Sequence, residues 1–140
     1  MKQQLDTLAR LASLRATRVQ QMLGRVAYQQ NLCQRYRNNI TGLTRLCGYT
    51  VPMTTPLQRD NQQQYKATLY RMVELQRKEL ILAEENLARI QVELMNAMRS
   101  EKIVAHVMDA KMVEWQQLLN QQEQKIQDGL ANQSWWRNQG

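Results

Sequence analysis

His106 is the only histidine in the chain, and Cys33 and Cys47 are its only cysteines. No cysteine lies near His106 in sequence, so neither a nucleophile–base dyad nor a soft-ligand metal cluster is indicated. Glu84 and Glu85 are neighbours, and adjacent positions on a helix point in different directions, which does not suit a general acid–base pair. The five glycines include no phosphate-binding loop. No cofactor and no small-molecule substrate are implied, and a lone histidine on such a chain reads as a surface or contact residue. The residues that stand out suit binding. Residues 1 to 48 carry Lys2, Arg10, Arg15, Arg18, Arg25, Arg35, Arg37 and Arg45 against Asp6 alone, so they hold the whole net charge of +7. A one-sided basic arm suits an acidic protein surface, an anionic membrane face or nucleic acid. A fold meant to enter a groove, which nucleic-acid recognition would also need, is not evident. At the other end lie Met108, Met112, Trp115 and Leu118, then Trp135 and Trp136; tryptophan and methionine left exposed in such number mark an interaction surface.

These residues need helices to position them. Charged residues make up 22% of the chain and hydrophobic ones 43%, with no Phe; Leu, Ala, Met, Gln, Glu, Lys and Arg, which lose least on entering a helix, dominate. No apolar run approaches the roughly 18 residues of a membrane span, and the N-terminal stretch lacks the apolar core of a signal peptide, so a cytoplasmic location is expected. The NIT and NQS sequons at Asn39 and Asn132 then carry no weight as glycan sites. The two cysteines fall on one helix, roughly 21 Å apart at 1.5 Å per residue, and are expected as packed free thiols.

A seven-residue repeat runs through both halves. In the first, Leu5, Ala12, Val19, Val26, Cys33, Ile40 and Cys47 alternate with Leu8, Arg15, Met22, Gln29, Tyr36 and Leu43. In the second, Val73, Leu80, Leu87, Leu94, Glu101, Met108 and Trp115 alternate with Leu69, Gln76, Ala83, Ile90, Ala97, Val104, Lys111 and Leu118. A stripe with a 3.5-residue period is a coiled-coil seam, buried against another helix. A compact bundle of amphipathic helices would need further helices, and the chain holds no second turn to make them.

That single turn contains both prolines, Pro52 and Pro56. Gly48 suits a left-handed helix end, Pro52 prevents the helix from resuming, and Thr55-Pro56-Leu57-Gln58 spells a capping box with proline in the first helical position. The expected fold is all-α: an antiparallel coiled-coil hairpin over residues 1–128, with helix 1 over about 3–47, a turn over 48–55, a longer helix 2 over about 56–128, and a flexible tail over 129–140. Folding about residue 52 sets position i opposite roughly position 104 minus i, so the first helix runs out near positions 99 to 103 and the later residues overhang.

Cys33-Gln34-Arg35-Tyr36-Arg37-Asn38-Asn39-Ile40, followed after the turn by Gln62-Gln63-Gln64-Tyr65-Lys66-Ala67-Thr68-Leu69, resembles the FliJ family of flagellar export proteins. That family is similar in a Tyr-Arg-x-Asn-aliphatic segment late in helix 1 and a Gln-Gln-aromatic-x-x-x-Leu segment early in helix 2. The resemblance implies a non-enzymatic coiled-coil stalk of the flagellar type III export apparatus, at the cytoplasmic face of the inner membrane and held there through partners. Its implied partners are the export ATPase, whose ring the paired terminal ends enter, the export-gate membrane protein, and export chaperones that it escorts. An injectisome stalk is the alternative within this class, and a basic hairpin that binds RNA the alternative outside it; a plain structural or self-associating coil is a third.

The resemblance also carries gate-binding positions onto Tyr36, Tyr65 and Leu69, with Gln29, Leu32, Met72 and Gln76 at neighbouring positions where the side chains differ from the family's. The heptad places Tyr36 and Leu69 on the seam, in conflict with an exposed role. For the ATPase, an acidic lumen would attract Arg10, Arg15 and Arg18, and the overhang of Met108, Met112, Trp115 and Leu118 would supply apolar contacts.

Overall fold

The computed structural model describes residues 1–139 as two helices, α1 (Lys2–Gly48) and α2 (Pro56–Gln139), with no strand among the described residues. The second is the longer, and together they make an α-helical hairpin. Neither has an internal proline, and the described chain contains no cis peptide and no positive φ. The residues group into two compact units: Gln20–Asn96, which contains the turn, and Met1–Val19 together with the chain from Ala97 onward.

In the turn-containing unit the heptad stripe is the core. Met22 and Cys33 are fully buried, and Val26, Cys47, Leu69, Val73, Ala83 and Ile90 are nearly so. Tyr36, Ile40, Leu43, Gln76, Leu80, Leu87 and Leu94 fill the remaining seam positions half-buried. Gln29 is also buried, and its Nε2 donates to the Ala83 carbonyl oxygen at 3.0 Å. Beside the seam, Arg25 pairs with Glu93 at 3.5 Å, Arg37 with Glu84 at 3.1 Å, and Asn39 Nδ2 donates to Gln76 Oε1 at 3.2 Å. Such solvent-facing ion pairs are each worth about 0.2–1 kcal/mol, so burial of the stripe rather than charge holds the helices together.

These pairs correct the expected alignment. Gln29, expected opposite position 75, meets Ala83; Arg25, expected opposite 79, meets Glu93; Asn39, expected opposite 65, meets Gln76. The cause is the connection, residues 49–55, which is not a tight bend. It lies alongside the first turns of α2, where Tyr49, Val51, Pro52 and Met53 share a groove with Gln58, Asn61, Gln62 and Tyr65. Non-helical chain advances up to about 3.3 Å per residue against 1.5 Å for a helix, so a few such residues cover many helical positions. The whole seam is displaced accordingly.

The helix ends differ in part from expectation. Gly48 is the last residue of α1 and does not adopt a left-handed conformation; the Tyr49 N–H instead donates to the Leu46 carbonyl at 3.3 Å in a tightened last turn. The start of α2 follows the capping pattern. The Gln58 N–H donates to Thr55 Oγ1 at 3.2 Å, and Gln58 Oε1 reaches back to accept from the Thr54 N–H at 3.0 Å, one residue earlier than the standard box. At the far end, α2 continues to Gln139, past the position 128 at which the sequence suggested a stop. A single glycine, Gly129, costs about 1 kcal/mol in a helix and does not end one; Gly140 lies outside the described residues.

In the second unit, Val19 and Val104 are buried. Leu5, Leu8, Leu11, Ala12 and Ala16 from α1 and Ala97, Glu101, Met108, Lys111 and Trp115 from α2 are half-buried. Gln3, Gln4, Thr7 and Leu8 share a groove with Val107 and Lys111. The unpaired part of α2 therefore begins after Trp115, later than the expected 99 to 103, and every described residue from Gln116 to Gln139 is exposed.

Candidate partner-binding surfaces

A coiled-coil hairpin offers partners only what its seam leaves outside. In the turn-containing unit, Leu69 and Gln29 are in the seam and present almost no surface, at 4% and 6% exposure. Leu32, Tyr36 and Gln76 are half-buried, while Tyr65 and Met72 are exposed. The conflict at Tyr36 and Leu69 is thus resolved toward the seam for Leu69, with Tyr36 partly open. Met72 and Gln76 share one shallow groove with Asn38, Asn39, Gly42, Leu43 and Leu46. Tyr65 belongs to the other groove, under the connection, together with Gln62, whose Oε1 is buried without a hydrogen-bond partner. The structure therefore divides these positions between two adjoining grooves and the seam, with Leu32 half-buried outside both grooves.

The second unit carries the proposed ATPase-facing residues. Arg10, Arg15 and Arg18 are exposed and form no ion pair among the described residues. Met108 and Trp115 are half-buried at the end of the seam, and Met112 and Leu118 are exposed. Beyond them, Leu119, Ile126 and Leu130 stand exposed on the unpaired part of α2. Trp135 and Trp136 meet edge to face, ring centroids 5.1 Å apart at 83°. Two aromatic rings held against each other in water leave a large apolar area uncovered, at 52% and 69% exposure.

For chemistry the surface offers little. His106 is exposed, Glu84 is engaged by Arg37, both cysteines are buried free thiols, and no group of three or more His, Cys, Asp or Glu is placed to hold a metal among the described residues. No described helix is long and apolar enough to cross a membrane.

Comparison with protein families gives a match over residues 1–140 to the family described as flagellar FliJ protein. The chain belongs to the FliJ family. Comparison with curated proteins and with solved structures gives no match. FliJ membership places this hairpin among the components of flagellar type III protein export, and it agrees with the helix arrangement and with the two sequence segments that flank the turn. The groove under the connection of this FliJ chain was not legible in the sequence, because proline, glycine and threonine around residue 52 read as punctuation. Only the apolar pair Val51 and Met53, on either side of Pro52, hinted that the connection packs.

Proposed function

We propose that this FliJ-family protein is a non-enzymatic stalk of the cytoplasmic export machinery, whose open end engages the export ATPase ring and whose turn-containing unit engages the export gate. The observation that carries the ATPase part is the unpaired stretch of α2 after Trp115. A helix of this length with exposed Leu118, Leu119, Ile126, Leu130, Trp135 and Trp136 finds no second helix to cover its apolar side chains among the described residues, and a ring lumen would cover them. Arg10, Arg15 and Arg18, which form no ion pair among the described residues, supply the charge that an acidic lumen would meet. The gate surface is assigned to Tyr65, Met72 and the open edges of Leu32, Tyr36 and Gln76; Gln29 and Leu69 act there as supports. Export chaperones are the third class of partner.

The test is titration of the purified protein into its cognate export ATPase, following hydrolysis and hexamer formation at two salt concentrations. Stimulation below equimolar amounts, reduced about tenfold by combined Arg10→Glu, Arg15→Glu and Arg18→Glu reversal, is expected for loss of several exposed charge contacts. An unchanged hydrolysis rate with wild-type protein overturns the stalk reading. Stimulation that survives the triple reversal removes the arginines from it. Steeply salt-dependent RNA binding in place of stimulation would favour the basic-hairpin alternative.

A further inference from the structure

The outward face of α2 in the turn-containing unit has an order of its own. Positions advance 100° per residue around a helix, and between residues 71 and 93 six charged residues fall on one arc of about 100° centred opposite the seam, with Glu93 at its edge reaching round to Arg25 of α1. In chain order they are Arg71, Glu74, Lys78, Glu85, Arg89 and Glu93, all exposed. Their signs run plus, minus, plus, then minus, plus, minus. The sequence of charges is thus antisymmetric about residues 81 and 82. Arg71 and Glu93, Glu74 and Arg89, and Lys78 and Glu85 are equidistant from that centre to within one residue, with opposite signs in every case. On the same face, Leu75, Ile81, Leu82 and Val92 are exposed at 61%, 55%, 59% and 57%.

A twofold axis through a helix face maps each position to its mirror distance on the other side of the axis and reverses the chain direction. We propose that this face is a docking surface for a second copy of the same chain, the two α2 helices packing antiparallel about a twofold axis at Ile81 and Leu82. In that arrangement Lys78 faces Glu85 of the other copy, Glu74 faces Arg89, and Arg71 faces Glu93, each twice, while Ile81 and Leu82 meet their counterparts at the centre. A parallel pairing sets every charge against its own copy and is excluded by the same pattern. Within one chain, Glu74 is held by Arg77 at 2.9 Å and Glu93 by Arg25 at 3.5 Å. Lys78 and Glu85 form no ion pair among the described residues, so the central charge pair is wholly available to the second copy. The proposal is independent of the ATPase and gate assignments, which use other surfaces.

Sedimentation velocity and equilibrium on the full chain, over a concentration series at low salt, test it. A monomer–dimer equilibrium is expected. Because each substitution enters the dimer twice, Lys78→Glu or Glu85→Lys alone weakens dimerisation about tenfold or more, and the charge swap carrying both restores it to within about threefold of the parent, as expected for exposed pairs acting through charge. These exposed positions leave the helix content by circular dichroism unchanged. A chain that stays monomeric throughout, single reversals without effect, a double swap that fails to restore association, or a dimer abolished by Trp135→Ala and Trp136→Ala but not by Lys78→Glu would each overturn the proposal.

Discussion

Gln29 shows what one side chain does in a seam this narrow. Its Nε2 donates to the Ala83 carbonyl, an oxygen placed inside α2 where it can also accept from the backbone four residues on, so the amide is satisfied without leaving an orphan behind if removed. Ala83 is small, which makes the room. A polar residue at one core position of a coiled coil fixes alignment at some cost in stability. Gln29→Leu is therefore expected to hold or raise the unfolding free energy, by up to about 1 kcal/mol, and Gln29→Ala to lower it by about 2 kcal/mol through the space it opens. Urea denaturation monitored by circular dichroism gives both values; a loss of stability in the leucine variant as large as in alanine would show that the hydrogen bond, not the volume, is what counts. Tyr65 is the contrast. At 54% exposure its change to alanine opens one wall of the groove under the connection and is expected to cost about 1 kcal/mol at most, less than Gln29→Ala, while weakening gate binding, so Gln29 and Tyr65 would separate into a support and a contact.

Among the elements, the end of α1 carries the clearest disagreement between composition and conformation. Glycine just before a proline-containing stretch suggested a left-handed cap, yet Gly48 is helical, and a Cβ built on it meets nothing within 4 Å. Gly48→Ala is accordingly expected to stabilise the hairpin by about 0.5–1 kcal/mol; a left-handed Gly48 would instead be destabilised by a similar amount, so the sign of the change in thermal midpoint decides. The same region explains what the sequence disclosed and what it hid. The heptad was fully legible: of the seam positions it named, Arg15 and Leu118 alone are exposed, because burial against one neighbour leaves a period in the residues themselves. The Thr55 cap was legible because its hydrogen bonds are local. The alignment of α1 with α2 was not, since it depends on how the connection packs against Gln58, Asn61, Gln62 and Tyr65, and no local pattern encodes that distance. The outward charge order of α2 escaped the heptad for a related reason, as it lies on the face that the seam does not use.

At the scale of the molecule, charge and exposure are distributed unevenly, and the functional reading rests on that. Residues 1 to 48 hold all of the +7 net charge, while α2 after Trp115 is exposed at every described position through Gln139. None of the described residues from Gln116 onward contributes to the buried seam, so removing residues 116–140 is expected to leave the denaturation midpoint of the hairpin nearly unchanged, with the measured slope on denaturant reduced only slightly because little surface is buried there. The same truncation is expected to reduce stimulation of the export ATPase severely, since Leu118, Leu119, Ile126, Leu130 and the tryptophan pair would all be gone. Stability and stimulation thus separate if the overhang is a contact surface. Comparing the full and shortened chains across ionic strength adds the decisive arm: the arginines of α1 remain in both, so whatever binding survives the truncation should retain a salt dependence, weakening as screening shortens to about 8 Å near physiological ionic strength. A shortened chain that stimulates as well as the full one would relocate the ATPase contact to Arg10, Arg15 and Arg18 and the paired ends beside them, and would free the overhang for another partner.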